Sequence, residues 1–306
     1  MVRPLVDGFR RLIASQRAES GMGALLIFIA SILVAAVAAG VIIQSTYMAQ
    51  QRAQSTAELS IQDVSDGWKV LSVEGEVNET GTALTHIYLK IALHAGSYPL
   101  DLNHTVIEIT DGTHEANLYL NTSWKPYIYV VYSTKNNTFY NITETPKGNL
   151  DASKLDTIYD PTDYTENDYV IKISTFHISK LDEIIVYNKS ESESKWKEYN
   201  GNTIGNYPTE QIKLNALIYA AKHYARPGIS YTVVVIRDPL NDYDEHTPNR
   251  VVTQGAVLKL FINVTGWNIE PQTHVTIKLM PKHGVPTLEE FWTPPTYARQ
   301  SYISLT

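Results

Sequence analysis

The 306 residues contain no cysteine. Disulfides, thiol nucleophiles and zinc–thiolate centres are therefore excluded, while the compartment stays open, because an exported protein can do without bridges. Basic charge is scarce too: 25 Lys and Arg face 32 Asp and Glu, for a formal net charge of −7. Nucleic-acid binders carry a basic face or a high isoelectric point. Here basic residues cluster only before Glu19, which argues against a nucleic-acid partner. Catalytic motifs are missing as well. No His-Glu-x-x-His, Gly-x-Ser-x-Gly or phosphate-loop pattern occurs, and the nine histidines are scattered. The expectation is a protein that is not an enzyme and holds no cofactor.

What is present begins at the amino terminus. Arg3, Arg10, Arg11 and Arg17, against the single Asp7, precede an apolar run from Gly21 to Ile43. Ser31 is the only hydroxyl in that run, and it has no charge. As a helix, its 23 residues span ~35 Å, enough to cross a bilayer core. Basic residues before the run, with only Arg52 soon after it, predict a cytoplasmic amino terminus. The run passes without Gly or Pro into Gln44–Glu58, so helix is expected to about Asp63.

Three readings of this terminus compete. An ordinary secretory signal ends in a small-residue cleavage site after the apolar run, where this chain continues as helix. A plain membrane anchor is the second. The third is a leader cut before the run, so that the run stays on the mature protein. A helix apolar on every side must be covered by lipid or protein. Gly21, Leu25, Leu26, Phe28, Ile29, Ile32, Leu33, Val34, Ala36, Val37, Gly40 and Ile43 are the residues expected to carry that contact. The small residues Ala35, Ala36, Ala38, Ala39 and Gly40 allow helices to approach closely.

The residues favour the third reading. Gln16-Arg17-Ala18, then Glu19-Ser20-Gly21-Met22-Gly23, then LLIFIASILVAAVAAGVII together resemble the amino-terminal helix of archaeal flagellins (archaellins), which are type IV pilin-like surface-filament subunits. The resemblance implies that a prepilin-type peptidase removes residues 1–18, cutting between Ala18 and Glu19. Ala18 departs from the family's usual Gly, and Ser20 is a neighbouring alternative. Loss of the leader's net +3 would take the chain from −7 to −10. Val252–Leu260 and His274–Pro286 resemble the family's carboxy-terminal strands, whereas residues 80–250 resemble nothing placeable.

Beyond Asp66-Gly67 the pattern turns to short alternating segments. Strands are expected at Trp68–Gly75, Ile87–Leu93, Val106–Ile109, Tyr127–Tyr132, Tyr169–Ile173, Ile184–Tyr187, Tyr231–Ile236, Ala256–Ile262 and Val275–Leu279, with one short helix at Leu214–Tyr224. Such spacing suggests a β-sandwich, and the resemblance implies an immunoglobulin-like one. The fold class is thus α+β: a long hydrophobic helix (residues 19–65), then an all-β outer domain (66–306).

Asn-x-Ser/Thr sequons stand at Asn78, Asn103, Asn121, Asn136, Asn141, Asn188 and Asn263, all beyond the helix, and make N-linked glycans an expectation. Two acidic loops could donate oxygens to calcium: Asp242, Asp244 and Glu245 in one, Asp163 and Glu166 in the other. Neither has EF-hand spacing, and solvated loops explain both more simply. Ser190–Lys197 reads as a polar surface loop. The resemblance implies a helical homopolymer serving motility. It would be held in the cytoplasmic membrane as precursor, handled by the family's assembly machinery, and extracellular when mature. An adhesive pilus-like fibre of the same superfamily and a monomeric membrane-anchored binding protein are the alternatives.

Overall fold

No proline stands between Pro4 and Pro99, and nothing else in that stretch breaks a helix before Asp66-Gly67. Helix α1 accordingly runs unbroken from Arg3 to Ser65, 63 residues or ~95 Å. Pro4 sits in its first turn, where its missing N–H costs nothing. The computed structural model describes residues 3–122, 127–144, 155, 159, 164–165, 167–190, 195–244, 250–297 and 300–306, and for residues 3–20, 62, 63, 141, 144 and 190 the backbone only. The chain divides into two units, Met1–Ile61 and Gln62–Thr306.

In the second unit the described strands are β1 (Trp68–Val77), β2 (Leu84–Leu93), β3 (Leu100–Asp101), β4 (Val106–Thr110), β5 (Glu115–Leu120), β6 (Ile128–Ser133), β7 (Thr138–Glu144), β8 (Asp168–Ile173) and β9 (Ile185–Ser190). They continue as β10 (Lys195–Glu198), β11 (Thr203–Ile204), β12 (Tyr207–Pro208), β13 (Ser230–Arg237), β14 (Val251–Val252), β15 (Val257–Asn263), β16 (His274–Met280), β17 (Thr287–Trp292) and β18 (Tyr302–Ser304). Helix α2 (Thr209–Tyr224) lies between β12 and β13 in the chain.

Nine strands form one sheet in the order β17-β16-β4-β5-β13-β15-β2-β1-β18, with only β5 and β13 parallel. The sheet curls until its ends approach. Gly67 bridges Val285, just before β17, and Thr287 Oγ1 donates to the Trp68 carbonyl. Gly284 makes this closure possible: at φ +103° a side chain is disfavoured, and a Cβ there would sit 2.4 Å from the Asp66 carbonyl oxygen. Asp66 anchors the same seam, accepting from Tyr98 N at 2.7 Å, while its carbonyl accepts from Val285 N at 2.8 Å.

The inside of the curl is the main core, built from alternate residues of each strand, among them Trp68, Ile87, Leu89, Leu260, Val235 and Ile277. Tyr231 reaches into it, its hydroxyl donating to the Thr105 carbonyl at 2.9 Å. Strands β2, β13 and β15 are buried on the other face too. Tyr88, Val234 and Phe261 point away from the curl into a second core, shared with α2 and the second sheet. That is why Val233–Ile236 is a continuous apolar run instead of alternating.

The second sheet, β10-β9-β8-β6-β7, is an antiparallel insertion between β5 and α2. Strand β6 is buried at every position. Its outer face carries a third core, in which Trp196 donates through Nε1 to the Tyr159 carbonyl at 3.0 Å. Here the sequence reading needs correction. Lys195–Glu198 is not loop but strand β10, paired with β9. The lysines flanking Trp196 face out and mask a buried aromatic. Each expected strand has its counterpart, and the expected helix is longer at its start, beginning at Thr209. Many of the tyrosines are core: Tyr88, Tyr129, Tyr132, Tyr159, Tyr231 and Tyr297 are all almost fully buried.

Candidate assembly helix

From Gly21 to Ile61 every residue of α1 is exposed. Phe28 is 67% exposed, Leu33 61%, Val37 68% and Ile43 69%. Leu25, Leu26, Ile29, Ile32 and Val34 are exposed as well, so the apolar surface runs round the whole helix. Ser31 does not break it, because its hydroxyl donates back to the Ile27 carbonyl at 2.8 Å. Each such side chain gains roughly 1.5–3 kcal/mol on leaving water. A helix of this kind cannot rest in water; it is long and apolar enough to cross a membrane. Gly21, Ala36 and Gly40 lie on it with no bulk of their own, and a Cβ added at Gly21 or Gly40 would meet nothing within 4 Å. Ala18 and Glu19 lie within α1, in the stretch where only the backbone is described.

The candidate modification sites spread over the β domain. Asn136 is exposed in the turn between β6 and β7, and Asn78, Asn103 and Asn188 are half-buried. Asn141 lies on β7, its side chain outside the described residues. Asn121 does not fit an outward glycan acceptor. It is 7% exposed, and its Nδ2 donates to the Tyr224 carbonyl at 2.7 Å. Asn263 is engaged in the same way, Nδ2 donating to the Ala225 carbonyl at 3.0 Å. Together with Thr232 Oγ1, which donates to Ala221 O at 2.6 Å, they satisfy carbonyls at the open end of α2. Sequence spacing alone could not reveal this capping role.

Asp242 is exposed and Asp244 half-buried; Glu245, Asp163 and Glu166 lie outside the described residues. Among the described residues no three His, Asp or Glu come together as metal ligands.

The sequence reading also missed a charged cluster on the outer side of β1 and β2. Glu76 accepts from Lys222 Nζ at 2.7 Å and from the Tyr88 hydroxyl. His86 Nδ1 lies 3.3 Å from its Oε2, within ionic contact but off the line of a hydrogen bond. Burial would raise the Glu76 carboxyl, but contacts with His86, Lys222 and Tyr88 outweigh it and hold it at about 2. Lys222 also donates to the Tyr302 hydroxyl at 3.2 Å, tying α2 to the carboxy-terminal strand. These groups make a structural clamp.

A β domain whose described strands bury their own cores, in a chain whose helix is exposed from Gly21 to Ile61, defines a surface subunit with an apolar helix that lipid or other protein must cover. Comparison with known proteins names the kind. Residues 18–291 match the model of the archaeal-type flagellins, and the chain belongs to that family. It is 26% identical to flagellin B2 of Methanocaldococcus jannaschii over 95% of each chain. It is 25% identical to flagellin B3 of Thermococcus kodakarensis over 95% of this chain and 98% of that one. A crystal structure of an archaeal flagellin from M. jannaschii covers 78% of this chain and 96% of its own at 18% identity and a TM-score of 0.42, too loose a likeness to add to the sequence match. The chain is thus a flagellin subunit that polymerises with itself through the amino-terminal helix.

Proposed function

We propose that the chain is made as a membrane-held precursor, cut between Ala18 and Glu19 by a prepilin-type peptidase, and moved into the core of an extracellular filament that serves motility. The observation that carries this reading is the exposed run from Gly21 to Ile43. In the bilayer its side chains are covered by lipid; in the filament they are covered by the same helices of other copies. The transfer exchanges one apolar surrounding for another, so close packing supplies the net gain. Ala35, Ala36, Ala38, Ala39 and Gly40 are small enough for backbones to approach. A contact that repeats head to tail without closing yields an open helical polymer.

The β domain, residues 66–306, forms the outer surface in this reading. Asn136 is the best-placed acceptor for an N-linked glycan, with Asn78, Asn103 and Asn188 next, and Asn121 is assigned to structure instead. Bound calcium is not part of the proposal.

The deciding experiment is mass spectrometry of the amino-terminal peptide in filaments sheared from native cells. A peptide beginning at Glu19 is expected in that fraction. Intact Met1–Ala18 on a protein confined to the membrane would overturn the processing and assembly route together.

A further inference from the structure

Between Gly21 and Ile61 the helix carries one cation, Arg52, and one anion, Glu58. Both are exposed. Six residues on an α-helix place them ~120° apart around the axis and ~9 Å apart along it. Side chains on one helix meet at a spacing of three or four residues, not six. The chain therefore cannot close this pair on itself. The ion pairs found among the described residues all lie in the β domain.

Their neighbours show that this stretch too needs cover. Tyr47 is 60% exposed and Met48 49%, one turn before Arg52; Leu59 and Ile61, beside Glu58, are exposed as well. The other polar residues from Gln44 to Ser60 are amides and hydroxyls without charge. When copies pack over Tyr47, Met48, Leu59 and Ile61, both charges lose water. A charge buried without a partner costs several kcal/mol, and an opposite charge beside it offsets much of that cost.

We infer that Arg52 of one copy pairs with Glu58 of the adjacent copy, and that this pair fixes the stagger of neighbouring parallel helices at ~9 Å along their axes. The inference rests on the assembly of α1 into the filament core and adds its register. The two charges leave the helix on different faces. Each copy thus gives Arg52 to one neighbour and Glu58 to another, which is the repeating, non-closing contact a filament needs. An apolar helix surface slides easily, because one set of methyl groups replaces another. One charge pair per copy penalises every other stagger, as a single polar position does in a coiled coil.

The test is a charge swap in the full chain, in cells lacking the native gene. R52E and E58R alone are each expected to lower the yield of sheared filament at least ~10-fold, since each sets like charges face to face. The double variant R52E/E58R restores the attraction with reversed sign and is expected to return most of that yield. Subunit level in the membrane and protease resistance of the β domain should be unchanged in all three, which separates assembly from folding and export. Single variants that assemble like the parent chain would overturn the inference. So would a double variant no better than the singles, which is the outcome expected if Arg52 instead meets lipid headgroups. In both cases filaments from the unaltered chain would leave the core-helix assembly standing. Their absence would strike that assembly instead.

Discussion

The helix from Gly21 to Ile61 and the β domain after it solve the same problem in different ways. In the β domain the core apolar side chains are covered by their own chain: Trp68 and Ile87 inside the curl, Phe261 and Val234 between the sheets, Tyr129 and Trp196 beyond the second sheet. In the helix none are covered, although its apolar run is denser than any strand. What one region completes by folding, the other completes by meeting copies of itself. It follows that a substitution in one region should act on assembly and a substitution in the other on stability. The two readouts should separate.

The largest separation is expected at Val37, which is 68% exposed near the middle of the apolar run. Val37→Asp, or Ala36→Asp, puts a carboxylate where both lipid and packed helices exclude water, at a cost of several kcal/mol per copy. Sheared filament should vanish while the β domain keeps its protease resistance. Normal filaments from either variant would sink the division of labour.

Much of this was legible beforehand, and for a physical reason. An apolar run needing cover on every side, and strands alternating between core and solvent, are one-dimensional patterns set by local geometry. Ile87, Leu89 and Ile91 in the curl, like Gly21 to Ile43 in the helix, could be read directly. What could not be read depends on contacts distant in sequence. Lys195-Trp196-Lys197 looks like a charged loop until Tyr159 is seen to accept from the Trp196 indole. Asn121 looks like a glycan acceptor until the Tyr224 carbonyl, 103 positions away, is seen to take its Nδ2. Glu76 and Lys222 are 146 positions apart, and nothing in either neighbourhood announces the other.

Next in size is Phe261, buried against Tyr88 with ring centroids 5.0 Å apart. Phe261→Ala opens a cavity between the nine-stranded sheet and α2 and should cost about 3–5 kcal/mol. Denaturant midpoints on the detergent-solubilised full chain measure that loss, and the helix signal of α1 should persist beyond the β transition. A single transition taking both regions together would mean that they are not independent.

A pH titration of the same transition sharpens the β side. The Glu76 carboxyl is lowered from 4.5 to about 2 in the folded chain. Its stabilisation is thus fully present above the unfolded value and is lost as pH falls from 4.5 through about 2. Because the carboxyl is only partly buried and solvent screens its partners, the contribution to stability is about 1–2 kcal/mol. Glu76→Gln should lose about that much at neutral pH and show a shallower decline in the acid window. An unchanged acid slope would mean that other carboxylates, such as Asp111 and Asp168, both also held low, carry the acid sensitivity.

The smallest expected effects lie within a single residue type. Asn121 and Asn136 both begin sequons, but only Asn121 has its amide committed inside the fold. Asn121→Ala leaves the Tyr224 carbonyl short of a donor at the end of α2 and should cost about 1–3 kcal/mol. Asn136→Gln, in an exposed turn, should change stability by less than about 0.5 kcal/mol. If Asn136 carries a glycan, Asn136→Gln should remove its mass from the tryptic peptide 136–147, and Asn121→Ala should shift no glycan mass at all. A glycan found on Asn121 would mean that modification precedes the docking of α2, because in the folded domain Asn121 is buried and its Nδ2 is committed to the Tyr224 carbonyl.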